Sequence, residues 1–131
     1  MLVETIELKL LVWSVGLTVV QMLVAVTAAM MQVGLPALAG NREGLEPRTG
    51  WAGRAARAHH NMLENLVLFA VLIVAASIVD RINAMTALGA QLFFWGRLVY
   101  APIYIIGIPW LRTAAFTVSI AGLLLIFSQL L

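Results

Sequence analysis

The sequence predicts an all-α integral membrane protein whose four transmembrane helices form an up-down bundle. Of the 131 residues, 63% are hydrophobic and only 11% are charged, whereas soluble domains typically contain about 25% charged residues. The apolar residues are grouped in four stretches, each long enough for the roughly 20 residues that a membrane-spanning helix needs. At this length we expect one domain, which covers residues 1–131.

The first two spans are separated by the longest polar segment of the chain. No charged residue lies between Lys9 and Arg42, and we expect the first span near residues 8–32, after a short amphipathic lead, MLVETIELK. Glycine and proline then end this helix, and residues 41–53 are predicted to form a polar loop. The second span is expected at about residues 55–78.

A tight turn and a proline predict where the last two spans begin and end. A charged turn at residues 80–83 is too short for anything except an antiparallel return, so the third span is predicted at about residues 82–106. Pro109 cannot continue a helix because it lacks the amide hydrogen and clashes with the preceding turn. The fourth span is therefore predicted at about residues 111–131.

The distribution of arginine predicts the orientation. Because basic residues are enriched in cytoplasmic loops, both termini are expected in the periplasm, with the chain in a bacterial inner membrane. A net charge of +2 with scattered arginines excludes nucleic acid as a partner. A polytopic chain this small cannot enclose a ligand alone, which favours an oligomer. The residues that set the orientation are Arg42, Arg48, Arg54, Arg57 and Arg112.

A polar stripe enters the second span. Arg54, Arg57, Asn61 and Glu64 are spaced so that they share one helix face. The arginines alone are explained as a helix cap whose long side chains reach the headgroups. Glu64 lies almost two turns beyond Arg57 and cannot reach the headgroups, and ionisable groups at such depth mark functional sites by default.

A second polar face lies on the third span, where Arg97, Tyr100 and Tyr104 are spaced i, i+3 and i+7. The tyrosines alone could be interfacial belt residues, but an arginine in mid-span needs an acidic partner. Glu64 is the only carboxylate within an apolar span, so we predict that Arg97 or Arg57 pairs with Glu64. Arg112, which opens the fourth span, is either a membrane anchor or a fixed cation beside a bound anion.

No metal site is predicted. His59 and His60 are neighbours on a helix and point about 100° apart, so they cannot chelate one ion. The chain has no cysteine, which excludes thiolate ligands and a cysteine nucleophile.

The pattern RxxRAHxNxxE at residues 54–64, continued by ENLVLF and a later GRLVYAPIY, resembles the MAPEG family, the membrane-associated proteins in eicosanoid and glutathione metabolism. The resemblance covers the whole chain and is greatest to the small bacterial members. It implies a homotrimer that binds glutathione between neighbouring subunits, near the cytoplasmic face.

The resemblance also implies roles for particular residues. Arg112 matches the arginine that stabilises the glutathione thiolate, with a length difference of one residue after Tyr104. The positions that match glutathione-binding positions of the family, or that lie beside them, are Arg57, His59, Asn61, Glu64, Tyr100 and Tyr104. Arg97 shares the helix face of the two tyrosines and is placed in the same site.

Two positions differ from the better-known eukaryotic members. Residues 32–40 lack the arginine that those members carry at the inner end of the first helix, and Arg42 is the nearest substitute. Phe116 stands where some members have a hydroxylated aromatic residue. Either change could weaken glutathione binding or alter its pose.

The predicted activity is a glutathione-dependent transferase or peroxidase that acts on a lipophilic electrophile or hydroperoxide, and membrane lipid is expected as a further partner. A free thiol has a pKa of about 8.5, and a guanidinium within about 4 to 6 Å favours the reactive thiolate. One alternative is a non-catalytic member that binds lipid or a partner in the same groove. The other is a small multidrug transporter, which needs an acid within its first helix, where this chain offers only Glu7.

Overall fold

The computed structural model describes residues 4–131, and within them all regular secondary structure is helical, as predicted. Four helices are long and one is a single short turn. In chain order they are α1 (Ile6–Val33), α2 (Leu35–Ala39), α3 (Gly50–Ile78), α4 (Ala84–Ile106) and α5 (Pro109–Leu130).

At one end of the bundle, the end of α1 connects to the start of α3, and the end of α4 connects to the start of α5. We call this the basic end. The Gln32 amide nitrogen donates to the Thr49 carbonyl at 3.1 Å, and the Thr49 amide donates back to Gln32 at 3.0 Å. Arg54 Nε donates to the Ile105 carbonyl at 2.8 Å. The start of α3 is therefore tied to both α1 and α4.

The opposite end joins the starts of α1 and α4. The Thr86 hydroxyl donates to Glu7 at 3.2 Å and also caps its own helix together with Asn83. The side chain of Asn83 donates to Gln129 at 3.0 Å, near the end of α5. These contacts at both ends show that the long helices alternate in direction, as an up-down bundle requires.

Three of the helices, α1, α3 and α5, are long and apolar enough to cross a membrane, which identifies an integral membrane protein. The fourth, α4, is not among these three. It has 23 residues, or about 34 Å at 1.5 Å per residue, which exceeds the hydrocarbon thickness of roughly 30 Å. Its polar side chains, including Gln91, Arg97 and Tyr100, lower its hydropathy.

The core lies where α3 and α4 face each other and α5 packs alongside. The rings of Phe69 and Phe93 stack with their centroids 4.1 Å apart, and Met62 and Ile126 are completely buried beside them. The closest approach is between α4 and α5, where Gly89 faces Gly122.

The segment between α1 and α3 is more helical than predicted. Gly34, with φ of 86°, ends α1 as expected, but Pro36 then lies in the first turn of α2, a position at which proline costs no hydrogen bond. Extended backbone at Thr49 starts α3 at Gly50. The second long helix therefore begins five residues before the predicted start of the span, and the polar loop is shorter than predicted.

Candidate functional site

A small pocket of about 230 Å³ opens at the basic end, between α3, α4 and α5. Four of the residues singled out in the sequence line it, together with Thr113 and Phe116. These four are Asn61, Tyr100, Tyr104 and Arg112. Residues from three helices, separated by up to 51 positions in the sequence, therefore meet in one place.

Tyr104 lies between two arginines from different helices. The guanidinium carbon of Arg112 is 4.5 Å from the centroid of the Tyr104 ring, and Arg57 Nε donates to the Tyr104 hydroxyl at 3.3 Å. The ring faces one cation and the hydroxyl accepts from the other, and both contacts are favourable. This side of the pocket consequently carries concentrated positive charge.

Tyr100 lies deeper and is buried. Its ring centroid is 5.5 Å from that of Tyr104 and 6.1 Å from that of Phe116. The guanidinium carbon of Arg97 lies 4.2 Å from the centroid of the Tyr100 ring. The rings of Tyr100, Tyr104 and Phe116 form an aromatic wall. Arg97 stacks on the Tyr100 ring of this wall, and Arg112 stacks on the Tyr104 ring.

Arg97 is the largest fully buried side chain within residues 4–131, with 1% of its surface exposed. None of its three side-chain nitrogens has a hydrogen-bond partner within residues 4–131. Glu64 is exposed, and Arg57 donates to Tyr104. The predicted pairing of Glu64 with Arg97 or Arg57 is therefore not formed within residues 4–131, because α3 directs Glu64 outward while α4 directs Arg97 inward.

The position of Asn61 is set by Asn65, one turn later on α3. The side-chain nitrogen of Asn65 donates to the Asn61 carbonyl at 2.8 Å and to its side-chain oxygen at 3.3 Å. This contact occupies one acceptor of the Asn61 amide and fixes its orientation at the pocket. Asn65 was not singled out in the sequence, although its spacing of four residues from Asn61 was a usable signal.

Arg54 belongs to the frame of the site. Its bond to the Ile105 carbonyl satisfies an acceptor near the end of α4, where helical carbonyls lack partners. Gly107 then ends α4 with φ of 93°, and a Cβ at this glycine would lie 3.2 Å from Arg54 Nε. Arg54 therefore caps the end of α4 from the start of α3, whereas the sequence interpretation had its side chain extend to the headgroups.

His59 and Glu64 do not line this pocket. His59 lines a different cavity, between α1 and α3, because it precedes Asn61 by two residues and so points to another side of α3. Glu64 is exposed. Gln32, at the end of α1, binds Thr49.

Glu7 is a buried polar residue that the sequence analysis assigned to an amphipathic lead. It lies in the first turn of α1 with 1% of its surface exposed. Ser14, Thr18 and Gln21 are buried on the same helix, and their spacing from Glu7 of seven, eleven and fourteen residues was the signal that could have predicted its burial.

Comparison with known protein families supports the resemblance read from the motif. The model of the MAPEG family matches residues 10–131, which include every residue that lines the pocket. Searches among curated proteins and among solved structures gave no significant match. With a family match over nearly the whole chain and three apolar helices of membrane-spanning length, the protein belongs to the MAPEG family of membrane proteins.

Proposed function

We propose that the protein is a membrane-bound, glutathione-dependent transferase or peroxidase that acts on a lipophilic electrophile or hydroperoxide. The observation that carries the proposal is the convergence of Asn61, Tyr100, Tyr104 and Arg112 on one pocket. Glutathione is a tripeptide with two carboxylates, an ammonium group and a thiol. Arginine and tyrosine side chains match the carboxylates, and the Asn61 amide matches a peptide group.

Arg112 is the residue to which we assign the catalytic role. It stands at the first turn of α5 and its guanidinium cannot lose its proton. Bound glutathione supplies a thiol, and a cation within about 4 to 6 Å favours release of the thiol proton to water. The stacking of Arg112 on Tyr104 holds the cation at the pocket before anything binds.

The size of the pocket supports a site shared between subunits. A volume of about 230 Å³ is below the roughly 300 to 1,000 Å³ of typical ligand sites, so a tripeptide would extend beyond one subunit. The exposed Arg57 and Glu64 are then available at a subunit boundary. We therefore propose that the protein is a homotrimer. In this proposal α4 is the fourth membrane span, and the basic end lies on the cytoplasmic side.

Phe116 supports a second candidate, a member of the family that binds its ligand without turning it over. Its ring faces Tyr100 in the pocket wall and offers no hydroxyl at a position where some members have one. In this case glutathione or a lipid would bind in the pocket, and no thiolate would form.

The test combines calorimetric titration with the ultraviolet absorbance of the thiolate, measured on the detergent-solubilised protein. We expect glutathione to bind and to show thiolate absorbance, and S-methylglutathione to bind without it. Arg112→Gln should abolish the thiolate signal while changing glutathione affinity by less than about tenfold, since the other pocket residues remain. Binding without a thiolate signal in the unmodified protein would favour the non-catalytic candidate, and absence of binding would exclude glutathione.

A further inference from the structure

An apolar groove runs along the outer surface of the bundle between α1 and α4, beginning at the end opposite the basic end. Its volume is about 770 Å³, within the range of roughly 300 to 1,000 Å³ that is typical of ligand sites. It shares no lining residue with the pocket at the basic end. Among residues 4–131, Lys9 is the only charged residue that lines the groove, and every other lining residue is apolar or glycine.

The depth of the groove matches one leaflet of a bilayer. Along α1 its lining residues include Lys9 and Val20, whose separation of eleven residues corresponds to about 16 Å at 1.5 Å per residue. This is close to half of the hydrocarbon thickness of roughly 30 Å. A transmembrane helix of a second subunit crosses the full thickness, whereas an acyl chain of one leaflet ends near the midplane. The depth therefore fits an acyl chain better than a helix.

A tryptophan and a glycine shape the deep part of the groove. Thr86 of α4 binds Glu7 of α1, and Trp95 and Gly16 each lie nine residues further along these parallel helices, so they stand at about the same depth. A Cβ added to Gly16 would meet nothing within 4 Å. The Trp95 ring lies edge-on to Phe94, with centroids 5.2 Å apart, and exposes 56% of its surface. The groove is therefore open at the glycine and bounded by an ordered ring.

The mouth of the groove carries a positive charge. Lys9 is exposed and lies one turn before Trp13, which also lines the groove and exposes 60% of its surface. Neither Glu4 nor Glu7 lines the groove. Lysine binds phosphate as a compact point charge on a flexible stem, and lysine and tryptophan are the residues that commonly contact headgroups. The mouth is therefore suited to the phosphate of a lipid.

The groove lies on the face of α1 opposite to the cavity that His59 lines. Trp13 lines the groove and Met22 lines the cavity, and their separation of nine residues corresponds to about 180° around a helix. The family resemblance places His59 at the site shared between subunits. A neighbouring subunit on that face of α1 leaves the groove facing the bilayer.

We propose that the groove binds one acyl chain of an anionic phospholipid and that Lys9 binds the phosphate of its headgroup. The bilayer supplies the ligand. The chain lies against Trp95 and occupies the space that Gly16 leaves open. The charge at the mouth favours headgroups with a net negative charge over zwitterionic ones. The site lies away from the glutathione pocket and does not depend on its chemistry.

The first experiment is native mass spectrometry of the detergent-purified protein, titrated with phosphatidylglycerol and with phosphatidylcholine of the same acyl chains. We expect phosphatidylglycerol to bind about fivefold more tightly, the effect of one basic residue near a membrane surface. Lys9→Gln should remove this preference, and Lys9→Arg should keep it. The proposal is overturned if the unmodified protein binds both lipids equally or if Lys9→Gln keeps the preference.

A second variant tests the groove without changing a charge. Gly16→Leu should fill the groove and abolish most of the binding of both lipids. Ala121→Leu is the matched control, because Ala121 is exposed on α5 and does not line the groove, and it should leave binding unchanged. Equal effects of the two variants would overturn the proposal. So would a Gly16→Leu variant that alters the mass of the assembly but keeps its lipid, because the groove would then hold a second copy of the chain.

A competition experiment separates a phosphate site from a carboxylate site. Oleate carries an acyl chain and a carboxylate but no phosphate. We expect it to leave most of the phosphatidylglycerol bound at equal concentration. Complete displacement by oleate would overturn the assignment of a phospholipid.

Discussion

At the residue scale, Arg97 and Arg112 each stack on a tyrosine of the same aromatic wall, but in different surroundings. Arg112 is partly exposed at the pocket, where water stabilises its charge. Arg97 is enclosed; its guanidinium stacks on the Tyr100 ring, but its nitrogens have no hydrogen-bond partner within residues 4–131. A buried charge without an ion-pair or hydrogen-bond partner destabilises a fold by several kcal/mol, so the two arginines should respond differently to substitution.

We expect Arg97→Met to leave the thermal unfolding midpoint of the detergent-solubilised protein unchanged or raise it. Replacement of a buried ion by an apolar side chain of similar size is often stabilising by about 1 to 4 kcal/mol. The same variant should weaken glutathione binding if Arg97 serves the site. Arg97→Ala is the control, because it leaves a cavity and should destabilise the fold. A large drop in the midpoint of Arg97→Met would show that the guanidinium has a structural partner.

The spacing of residues along α4 predicted correctly that Tyr100 and Tyr104 lie together, whereas the predicted stripe on α3 does not bring Glu64 to the pocket of Asn61. Tyr100 and Tyr104 line one pocket because residues three and four apart share a helix face. The pairing of Arg97 with Glu64 could not be predicted correctly, because it depended on how α3 is rotated relative to α4. That rotation is set by contacts such as the stacking of Phe69 on Phe93, which no local pattern contains.

At the scale of elements, the approach of α4 to α5 depends on glycine. A Cβ added to Gly122 would collide with the Gly89 carbonyl oxygen and lie 2.8 Å from the Phe93 amide nitrogen. Both atoms belong to the backbone of α4, so neither can shift unless the helix shifts. The two helices would have to separate, and the α5 residues of the pocket would move with them.

Gly122→Ala should therefore destabilise the protein by at least the roughly 1 to 3 kcal/mol typical of overpacking and weaken ligand binding. The matched control is Gly16→Ala, since a Cβ at Gly16 meets nothing within 4 Å. That variant should be neutral or stabilising by up to about 1 kcal/mol, because alanine favours a helix over glycine. Equal thermal midpoints for the two variants would contradict this account of the interface.

The lengths of the apolar stretches and the turn residues predicted the number of long helices more accurately than the residues at which each helix begins and ends. The third predicted span ends at residue 106, as α4 does, because Gly107 follows in the left-handed conformation, while Pro109 begins α5. The short α2 was missed because proline can either end a helix or begin one. The sequence alone could not decide between these two roles of Pro36.

At the scale of the whole molecule, the chain leaves much apolar surface uncovered on α1 and α3. Exposed examples are Val12, Trp13, Val20, Val67 and Val71. Lipid covers such surfaces as readily as a second protein does, so exposure alone does not identify an interface. The incomplete pocket at the basic end is the stronger reason to expect neighbouring subunits.

The mass of the detergent-free assembly, measured by native mass spectrometry, should be three times that of the chain. Glutathione should increase the trimer fraction, since a ligand held between subunits stabilises the assembly by mass action. Asn61→Ala should remove this effect of glutathione without removing the trimer itself. A stable monomer that binds glutathione with full affinity would exclude a shared site.

The bond from Arg54 to the Ile105 carbonyl has a thermodynamic consequence. It fastens the start of α3 to the end of α4, the two helices that carry Asn61 and both tyrosines, before any ligand arrives. A preformed site loses little conformational entropy on binding. The affinity of the site should therefore depend mainly on which groups the ligand presents, and little on its ability to reorganise the protein.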